Sequence, residues 1–289
     1  MNPAVDKIPF QKISDSEIVP FGVKLFMLRL DLIHPRINGN KWFKLKYNLE
    51  EVKKQNKKIL LTFGGAFSNH IIATAAVGKE FGLKTIGIIR GEELNDSSNP
   101  SLKFAKQCGM KLHFVSREDY RKKDSEEFIK SLNQQFNNFY LLPEGGTNKL
   151  AVKGCSEILN HIDVPFDYVC CAVGTGGTIA GIISSLEKNQ EAIGFPVLKG
   201  AEFLEKDIKQ FTGERKNWIL NYDYHFGGYA KTNSELLEFI DRFKKQNNVS
   251  LDSSYTGKMM YGVYDLIKKK FFEKNATVVA IHTGGVPKF

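Results

Sequence analysis

Lys41 is predicted to lie in the first turn of a helix, where a positive charge is electrostatically unfavourable. It follows the turn dipeptide Asn38-Gly39, and apolar residues recur at positions 42, 45, 49 and 52, the spacing of one helical face. The start of a helix carries partial positive charge, which lowers the pKa of an ammonium in the first turn. A lysine with a lowered pKa is a better nucleophile toward a carbonyl group. The segment therefore predicts a reactive lysine, with an ordinary surface lysine as the alternative and with Lys44 and Lys46 as local competitors.

The run TFGGAFSNH, residues 62–70, leads from a strand through two glycines into an apolar helix. Ser68 and Asn69 are favoured helix N-caps, and Gly82 predicts a left-handed end for the same helix. Free N–H groups at a helix start, flanked by a hydroxyl and an amide, can bind a carboxylate. Capping alone explains the same residues, and a histidine such as His70 more often packs or caps there.

A second glycine-rich turn follows the apolar run VCCAV and precedes another apolar helix. It consists of Gly174, Thr175, Gly176, Gly177 and Thr178. Backbone N–H groups and two hydroxyls in front of a helix are typical of a phosphate site. The turn has no Walker A lysine, and Ile179 replaces the third glycine of the dinucleotide motif, so a nucleoside triphosphatase and a Rossmann oxidoreductase are disfavoured. A turn without a ligand stays an alternative.

The C-terminal third adds three loops with polar or aromatic side chains, HFGGYAKT, SSYTGKMMYG and IHTGG. Tyr229 and Tyr255 lie in the first two, where a tyrosine hydroxyl can reach a ligand or simply face water. The sequence contains no H-E-x-x-H motif, no Cys/His cluster with metal-ligand spacing and no G-x-S-x-G elbow. A zinc enzyme and an α/β-hydrolase are therefore disfavoured, and no metal site is predicted.

The elements that must position these residues follow from an alternation along the chain. Short β-rich runs alternate with helical segments, which predicts βαβ units and parallel sheets with helices on both faces. Ligands of open α/β sheets bind at the carboxyl ends of strands, where several of these runs reach glycines. The runs are KILLTFGG, KTIGIIRG, KLHFVS, FYLLPEGG, FDYVCCAVGTGG, FPVLKGAE, WILNYDYHF and TVVAIHTGG.

Composition narrows the class of protein. The 289 residues suffice for one large α/β unit or two domains. The net charge of +9 comes from lysines spread over many segments without a nucleic-acid-binding module, which favours an anionic small molecule over DNA or RNA. Neither a signal peptide nor an apolar run of about 20 residues occurs, so we expect a cytoplasmic protein that does not bind membranes. The cysteines, expected to be reduced, are Cys108, Cys155, Cys170 and Cys171.

Six segments in order resemble a known family. NGNKWFKLKYNL, GGAFSNH, PEGGTNKLAVKG, GTGGTIAG, SSYTGKMMYG and HTGG are similar to motifs of the 1-aminocyclopropane-1-carboxylate deaminase and D-cysteine desulfhydrase family of pyridoxal 5'-phosphate enzymes. The resemblance implies an α/β fold of the tryptophan synthase β type (fold type II), with two open twisted lobes and the cofactor between them. It also implies a large cofactor-binding domain of residues 1–45 and 146–289, a small inserted domain of residues 46–145, and a homodimer.

The resemblance also assigns roles to the residues singled out above. Lys41 is implied as the lysine that bonds the cofactor carbonyl and carries protons, and Ser68 as an active-site serine. Asn69 corresponds to the amide that hydrogen-bonds the phenolic oxygen of the cofactor. The helix start from Ser68 to His70 corresponds to the site of the substrate carboxylate. Residues 174–178 correspond to the phosphate loop, and Tyr229 and Tyr255 to tyrosines close to substrate and ring.

One departure from the family pattern bears on the reaction. Ring-opening deaminases have a glutamate at the position of Thr256, where it contacts the pyridine nitrogen. A carboxylate keeps that nitrogen protonated, whereas a hydroxyl, here Thr256 with Thr283, favours a neutral nitrogen and a weaker electron sink. Expelling a thiolate requires less electron withdrawal by the cofactor ring than opening a cyclopropane that has no α-hydrogen.

The sequence therefore predicts a pyridoxal 5'-phosphate-dependent lyase that acts on a small amino acid. The expected reaction is α,β-elimination of D-cysteine or a related β-substituted amino acid to a 2-oxo acid and ammonia. A ring-opening 1-aminocyclopropane-1-carboxylate deaminase and a non-catalytic phosphate-ligand-binding protein of the same fold are the alternatives. The bulky stretch KWFKLK allows a substrate that differs from those of both named enzymes.

Overall fold

The structure is a computed structural model that describes residues 7–37 and 39–285. This part of the chain contains ten strands. They are β1 (Phe10–Ile13), β2 (Lys24–Leu28), β3 (Ile59–Gly65), β4 (Lys84–Arg90), β5 (Lys111–Val115), β6 (Phe139–Leu142), β7 (Tyr168–Val173), β8 (Glu191–Pro196), β9 (Trp218–Leu220) and β10 (Thr277–Ile281).

Ten α-helices connect and cover the strands within the same ranges. They are α1 (Asn40–Lys54), α2 (Asn69–Phe81), α3 (Pro100–Gln107), α4 (Arg117–Arg121), α5 (Glu126–Phe136), α6 (Lys149–Cys155), α7 (Gly177–Ser185), α8 (Phe203–Thr212), α9 (Ser234–Asn247) and α10 (Thr256–Lys268). Single 3₁₀ turns lie at Val19–Phe21, Leu30–Leu32, Glu144–Gly146 and Ile158–His161. None of the helices in the described ranges is both long enough and apolar enough to cross a bilayer.

The strands form two separate sheets. One has the order β1-β2-β10-β7-β8-β9 and the other the order β5-β4-β3-β6. All neighbouring strands are parallel except β1 and β2. The prediction of an α/β fold with parallel sheets is therefore confirmed. The smaller sheet takes its strands from residues 59–142, and the larger sheet from residues 10–28 and 168–281.

Helix α1 follows the predicted pattern of one apolar face. Trp42, Leu45, Leu49 and Val52 are all buried, and they belong to a core cluster shared with α2, α6 and α7. Fully burying such side chains stabilises the fold by roughly 1.5–3 kcal/mol each. Helix α6 contacts α1 so closely that a Cβ atom at Gly154 would lie 1.8 Å from the Phe43 carbonyl oxygen. The helix that carries Lys41 is thus held rigidly in the core.

Two strand predictions require correction. The run FPVLKGAE was expected to be a strand, but β8 spans Glu191–Pro196 and shares only Phe195 and Pro196 with it. The buried residues of that strand begin earlier, at Ala192 and Ile193. The strand starts with the polar residue Glu191, so the apolar pattern did not indicate its beginning. The run WILNYDYHF forms a strand only over Trp218–Leu220. Asn38 of the predicted turn, and the outer ends of the predicted large domain, lie outside the described residues.

Candidate active site

Lys41 lies in the first turn of α1, as predicted, and its surroundings come from distant parts of the chain. Gly39, at φ +66°, precedes the helix, and a Cβ atom there would lie 1.9 Å from the Thr283 carbonyl oxygen. The Asn40 backbone N–H donates to that same oxygen at 3.2 Å. Lys41 Nζ donates to Asn40 Oδ1 at 3.2 Å, while Asn40 Nδ2 donates to Thr178 Oγ1 at 2.7 Å. Through Asn40, the lysine is thereby linked to the segment that follows β10 and to the second glycine-rich turn.

The electrostatic surroundings of Lys41 favour its neutral amine. Burial, and then the nearby ammonium of Lys44, lower the pKa of Lys41 to about 7. The Cys155 and Cys171 thiols oppose this shift. The sequence predicted a lowered pKa from the helix start; the direction agrees with the structure, where burial and the Lys44 charge are the causes. The lowered pKa increases the fraction of Lys41 that is uncharged near neutral pH, and the uncharged amine is the form that attacks a carbonyl.

Lys44 is a buried lysine one helical turn beyond Lys41, which itself is partly exposed. Its ammonium donates to the Gly145 carbonyl and to Thr147 Oγ1, both at 2.9 Å, and to Thr175 Oγ1 at 3.4 Å. Burial lowers the pKa of Lys44 as well. Lys46 instead pairs with Glu157, away from these groups. Of the two local competitors, only Lys44 therefore shares the site with Lys41.

The second glycine-rich turn forms the predicted helix start. Gly176, at φ +76°, precedes α7, whose first N–H groups have no partner within the helix. Thr175 and Thr178 add hydroxyls, and Lys44 adds an ammonium at the same place. Backbone N–H groups, hydroxyls and a cation are the donors that a phosphate dianion requires. The residues present fit the phosphate group of pyridoxal 5'-phosphate.

The first glycine-rich segment leads into α2 as predicted. Ser68 Oγ accepts a hydrogen bond from the Ile71 N–H at 3.4 Å and caps the helix, and Gly82 ends it in the left-handed conformation. The Asn69 amide is close to Gly285, because a Cβ atom at Gly285 would lie 3.2 Å from Asn69 Nδ2. Ser68 and Asn69 therefore lie at a helix start that is close to the C-terminal segment.

His70 occupies a more enclosed position than its two neighbours. Its side chain is only 2% exposed, and its Nε2 is 2.8 Å from Thr62 Oγ1. Burial, followed by the charges of Lys41 and Lys44, holds the pKa of His70 well below its usual range, so the ring is neutral. Within the described residues His70 Nδ1 has no hydrogen-bond partner. This burial agrees with the packing interpretation, and a role at the substrate carboxylate stays a prediction.

Tyr229 and Tyr255 come together from different loops. Their ring centroids are 5.8 Å apart, and the rings meet edge to face at 68°. Tyr255 also borders the phosphate turn, since a Cβ atom at Gly174 would lie 3.1 Å from its Cε1. Burial raises the pKa of both tyrosines, so both hydroxyls are protonated donors near neutral pH. Tyr229 is 37% exposed and therefore lies at the open side of the pair.

Asp252 is a residue of this region that the sequence analysis did not single out. Its carboxylate accepts hydrogen bonds from the N–H groups of Ser254, Tyr255 and Thr256, at 2.8, 2.6 and 3.0 Å. It also accepts the Thr256 hydroxyl at 2.7 Å, and Thr256 is fully buried. An aspartate shortly before a helix is a capping signal that could have identified it. The single hydroxyl hydrogen of Thr256 is therefore already used.

The fold and this arrangement of donors define a class of enzyme. A family model described as "Pyridoxal-phosphate dependent enzyme" matches residues 9–284. The chain belongs to that family and is a pyridoxal phosphate-dependent enzyme, as its resemblance to known motifs implied.

Particular relatives are similar over most of the chain. A Pyrococcus furiosus protein, named provisionally as a 1-aminocyclopropane-1-carboxylate deaminase, is 32% identical over 92% of this chain and 85% of its own length. The Arabidopsis thaliana bifunctional D-cysteine desulfhydrase/1-aminocyclopropane-1-carboxylate deaminase is 30% identical over 93% of this chain and 74% of its own length. A crystal structure of an ACC deaminase homologue superposes with a TM-score of 0.86 at 26% identity, covering 99% of this chain and 92% of that one.

The pKa of Lys41 leads to a prediction about cofactor uptake. We expect the rate at which cofactor-free protein bonds pyridoxal 5'-phosphate to rise with pH, with a midpoint near 7, because only the neutral amine reacts. Stopped-flow absorbance across pH 5.5–10 measures this rate. In Lys44→Met the midpoint should move to higher pH, since a cation that lowers the pKa of Lys41 is removed. A wild-type midpoint near the usual lysine value of about 10.4 contradicts the prediction.

Proposed function

We propose that this enzyme catalyses α,β-elimination on a small D-amino acid, with D-cysteine or a related β-substituted amino acid as substrate. D-cysteine and water would give pyruvate, sulfide and ammonia. The observation that carries the proposal is the partly neutral Lys41 amine, which has a pKa of about 7 and lies beside a turn suited to phosphate. A D-cysteine desulfhydrase name among the relatives supports the choice of substrate.

The chain offers a group for each part of the cofactor. Lys41 would bond its carbonyl, the turn from Gly174 to Thr178 together with Lys44 would hold its phosphate, and Asn69 would contact its phenolic oxygen. Thr256, with Thr283, would contact its ring nitrogen. When bound, pyridoxal 5'-phosphate withdraws electrons from the α-carbon of an attached amino acid.

The remaining steps belong to side chains of the protein. The neutral Lys41 amine takes the α-proton, because its pKa near 7 suits both accepting and returning a proton. Ser68 and the first N–H groups of α2 bind the substrate carboxylate, with Asn69 and His70 beside them. The hydroxyls of Tyr229 and Tyr255, which burial keeps protonated, would assist the departure of sulfide.

Elimination is favoured over ring opening by the chemistry around Thr256. The Thr256 hydroxyl donates its hydrogen to Asp252, so toward the ring nitrogen it offers only an uncharged oxygen, which stabilises a protonated nitrogen less than a glutamate would. Asp252 supplies the carboxylate bonded to Thr256, but four donors already occupy its oxygens. A weaker electron sink is sufficient when the leaving group is a thiolate.

The alternative reaction, opening of 1-aminocyclopropane-1-carboxylate, also has an observation in its favour. Because Asp252 accepts the Thr256 hydroxyl at 2.7 Å, its negative charge lies one hydrogen bond from the proposed contact with the ring nitrogen. That charge favours a protonated nitrogen. The names of the relatives include this activity.

A substrate panel distinguishes the two reactions. Sulfide and 2-oxo acid release should be measured with D-cysteine, L-cysteine and 1-aminocyclopropane-1-carboxylate. We expect kcat/KM for D-cysteine to exceed that for the cyclopropane by at least about 10-fold, a difference of roughly 1.4 kcal/mol in activation free energy. In Thr256→Glu, which introduces the carboxylate, the ratio should shift toward the cyclopropane. Equal wild-type rates favour the ring-opening deaminase, and no turnover of any of the three overturns the proposal.

Three further features belong to the same proposal. The large domain would comprise residues 1–45 and 146–289 and the small domain residues 46–145, which is supported by the separate origins of the two sheets. We also propose a homodimer that acts in the cytoplasm. Sedimentation equilibrium of the purified protein tests the dimer.

A further inference from the structure

One face of α10 contacts the loop that carries Tyr229. Tyr255, Lys258 and Tyr261 are spaced three residues apart, which places them on the same side of the helix. Tyr255 contacts the Tyr229 ring, and Tyr261 meets the Phe226 ring edge to face at 5.0 Å. Lys258, between them, contacts the loop through its ammonium.

The contact of Lys258 is polar, and the lysine itself is fully buried. The side chain is 0% exposed, and Nζ donates to the His225 carbonyl at 2.9 Å and to the Gly228 carbonyl at 2.7 Å. These carbonyls precede Tyr229 by four residues and by one residue. An ammonium bonded to both fixes the stretch of backbone that leads directly to the tyrosine.

The backbone of the loop of residues 225–230 is strained, so contacts such as those of Lys258 are needed to hold its conformation. Phe226 has φ +51° and Ala230 has φ +57°, on either side of Tyr229. A left-handed conformation costs a residue other than glycine roughly 1–2 kcal/mol. Without external contacts, the segment would relax toward ordinary conformations and carry Tyr229 with it.

Hydrogen bonding alone does not explain a lysine at this position. The His225 carbonyl also accepts the Gly228 N–H at 3.0 Å, and the Gly228 carbonyl accepts the Lys231 N–H at 3.1 Å, so both keep a partner without the ammonium. Burial lowers the pKa of Lys258 to about 8, which reflects the cost of enclosing its charge. A methionine of similar length would fill the space without that cost.

We propose that Lys258 is a positioning residue, which holds the loop of residues 225–230 so that the Tyr229 hydroxyl stays beside Tyr255 and faces the substrate. Lys258 itself does not touch the substrate. The inference rests on the proposed function, in which Tyr229 assists departure of the β-substituent.

A double-mutant cycle tests the proposal with four proteins: wild type, Lys258→Met, Tyr229→Phe and the double variant. We expect Lys258→Met to lower kcat/KM for D-cysteine by about 10- to 100-fold, the scale of a misplacement of about 1 Å, mainly through kcat. The double variant should be no slower than Tyr229→Phe within about twofold, since both changes remove the same function. Visible absorption of the bound cofactor should be retained. Lys268→Met, on the exposed side of the same helix, should match wild type.

The outcomes are distinct. Losses that multiply in the double variant overturn the positioning role, because Lys258 then acts independently of Tyr229. A Tyr229→Phe variant as fast as wild type overturns both this inference and the proposed role of the tyrosine hydroxyl. A wild-type protein that binds cofactor but does not act on D-cysteine refutes the proposed reaction, and the cycle is then measured on whichever panel substrate it turns over. If Lys258→Met does not fold, Lys258→Leu, which also lacks an N–H donor, enters the cycle under the same criterion.

Discussion

Lys41→Ala is expected to fold, to lose the visible absorption of the bonded cofactor, and to turn over D-cysteine at least about 10³-fold more slowly. The change removes the amine that bonds the cofactor carbonyl and the base that takes the α-proton. Among the described residues the Lys41 amine forms one hydrogen bond, to Asn40 in the same turn, so its removal should disturb little of the core. Absorption spectra and sulfide release measure the two effects.

Two further variants test this prediction: one is a control on the same helix, and the other removes the second lysine that could bond the cofactor. Lys53→Ala changes a lysine on the exposed side of the same helix and should leave both measurements unchanged. If Lys41→Ala retains the absorption band and Lys44→Ala loses it, then Lys44 bonds the cofactor and the assignment of Lys41 is wrong.

Lys44→Met is expected to weaken cofactor binding, with a rise in Kd of about 10- to 100-fold. A hydrogen bond from a charged group contributes roughly 1.5–3 kcal/mol, and Lys44 is the ammonium that lies against Thr147 and Thr175 beside the phosphate turn. Methionine has a similar length and fills the buried space, so the fold should be retained. Titration of the cofactor-free variant with pyridoxal 5'-phosphate, followed by fluorescence quenching, measures Kd.

The control for Lys44→Met is a substitution of Lys46, two residues further along the same helix. Lys46→Met removes a lysine of the same helix that pairs with Glu157, and it should leave Kd within about twofold of wild type. An unchanged Kd in Lys44→Met would show that its ammonium does not contribute to phosphate binding.

Local patterns in the sequence predicted several elements of this site correctly. The apolar face of α1, the Ser68 cap and the Gly82 end of α2 are all present. Each depends on residues within one or two helical turns, so periodicity and capping chemistry are enough to identify it. The α/β class followed in the same way from the alternation of strand-like and helical runs.

Contacts between distant residues could not be predicted in this way. The partners of Lys44 are 101 to 131 positions away, and those of Lys258 are 30 and 33 positions away. No local pattern reveals that a lysine will be buried or which carbonyls it will meet. The same holds for the pKa of Lys41, since its largest cause is burial between segments that are far apart in sequence.

The contact between Gly39 and Thr283 also has a consequence for the order in which the protein matures. Strand β10 pairs with β2, and the segment after it closes over the start of α1. Lys41 leaves the ribosome about 240 residues ahead of Ile281. At roughly 5–20 residues per second, the lysine waits about 12–50 s before its final surroundings exist. The surroundings of Lys41 are therefore complete only after β10, the last strand in the described part of the chain, has been synthesised, and we expect stable cofactor attachment only from that point.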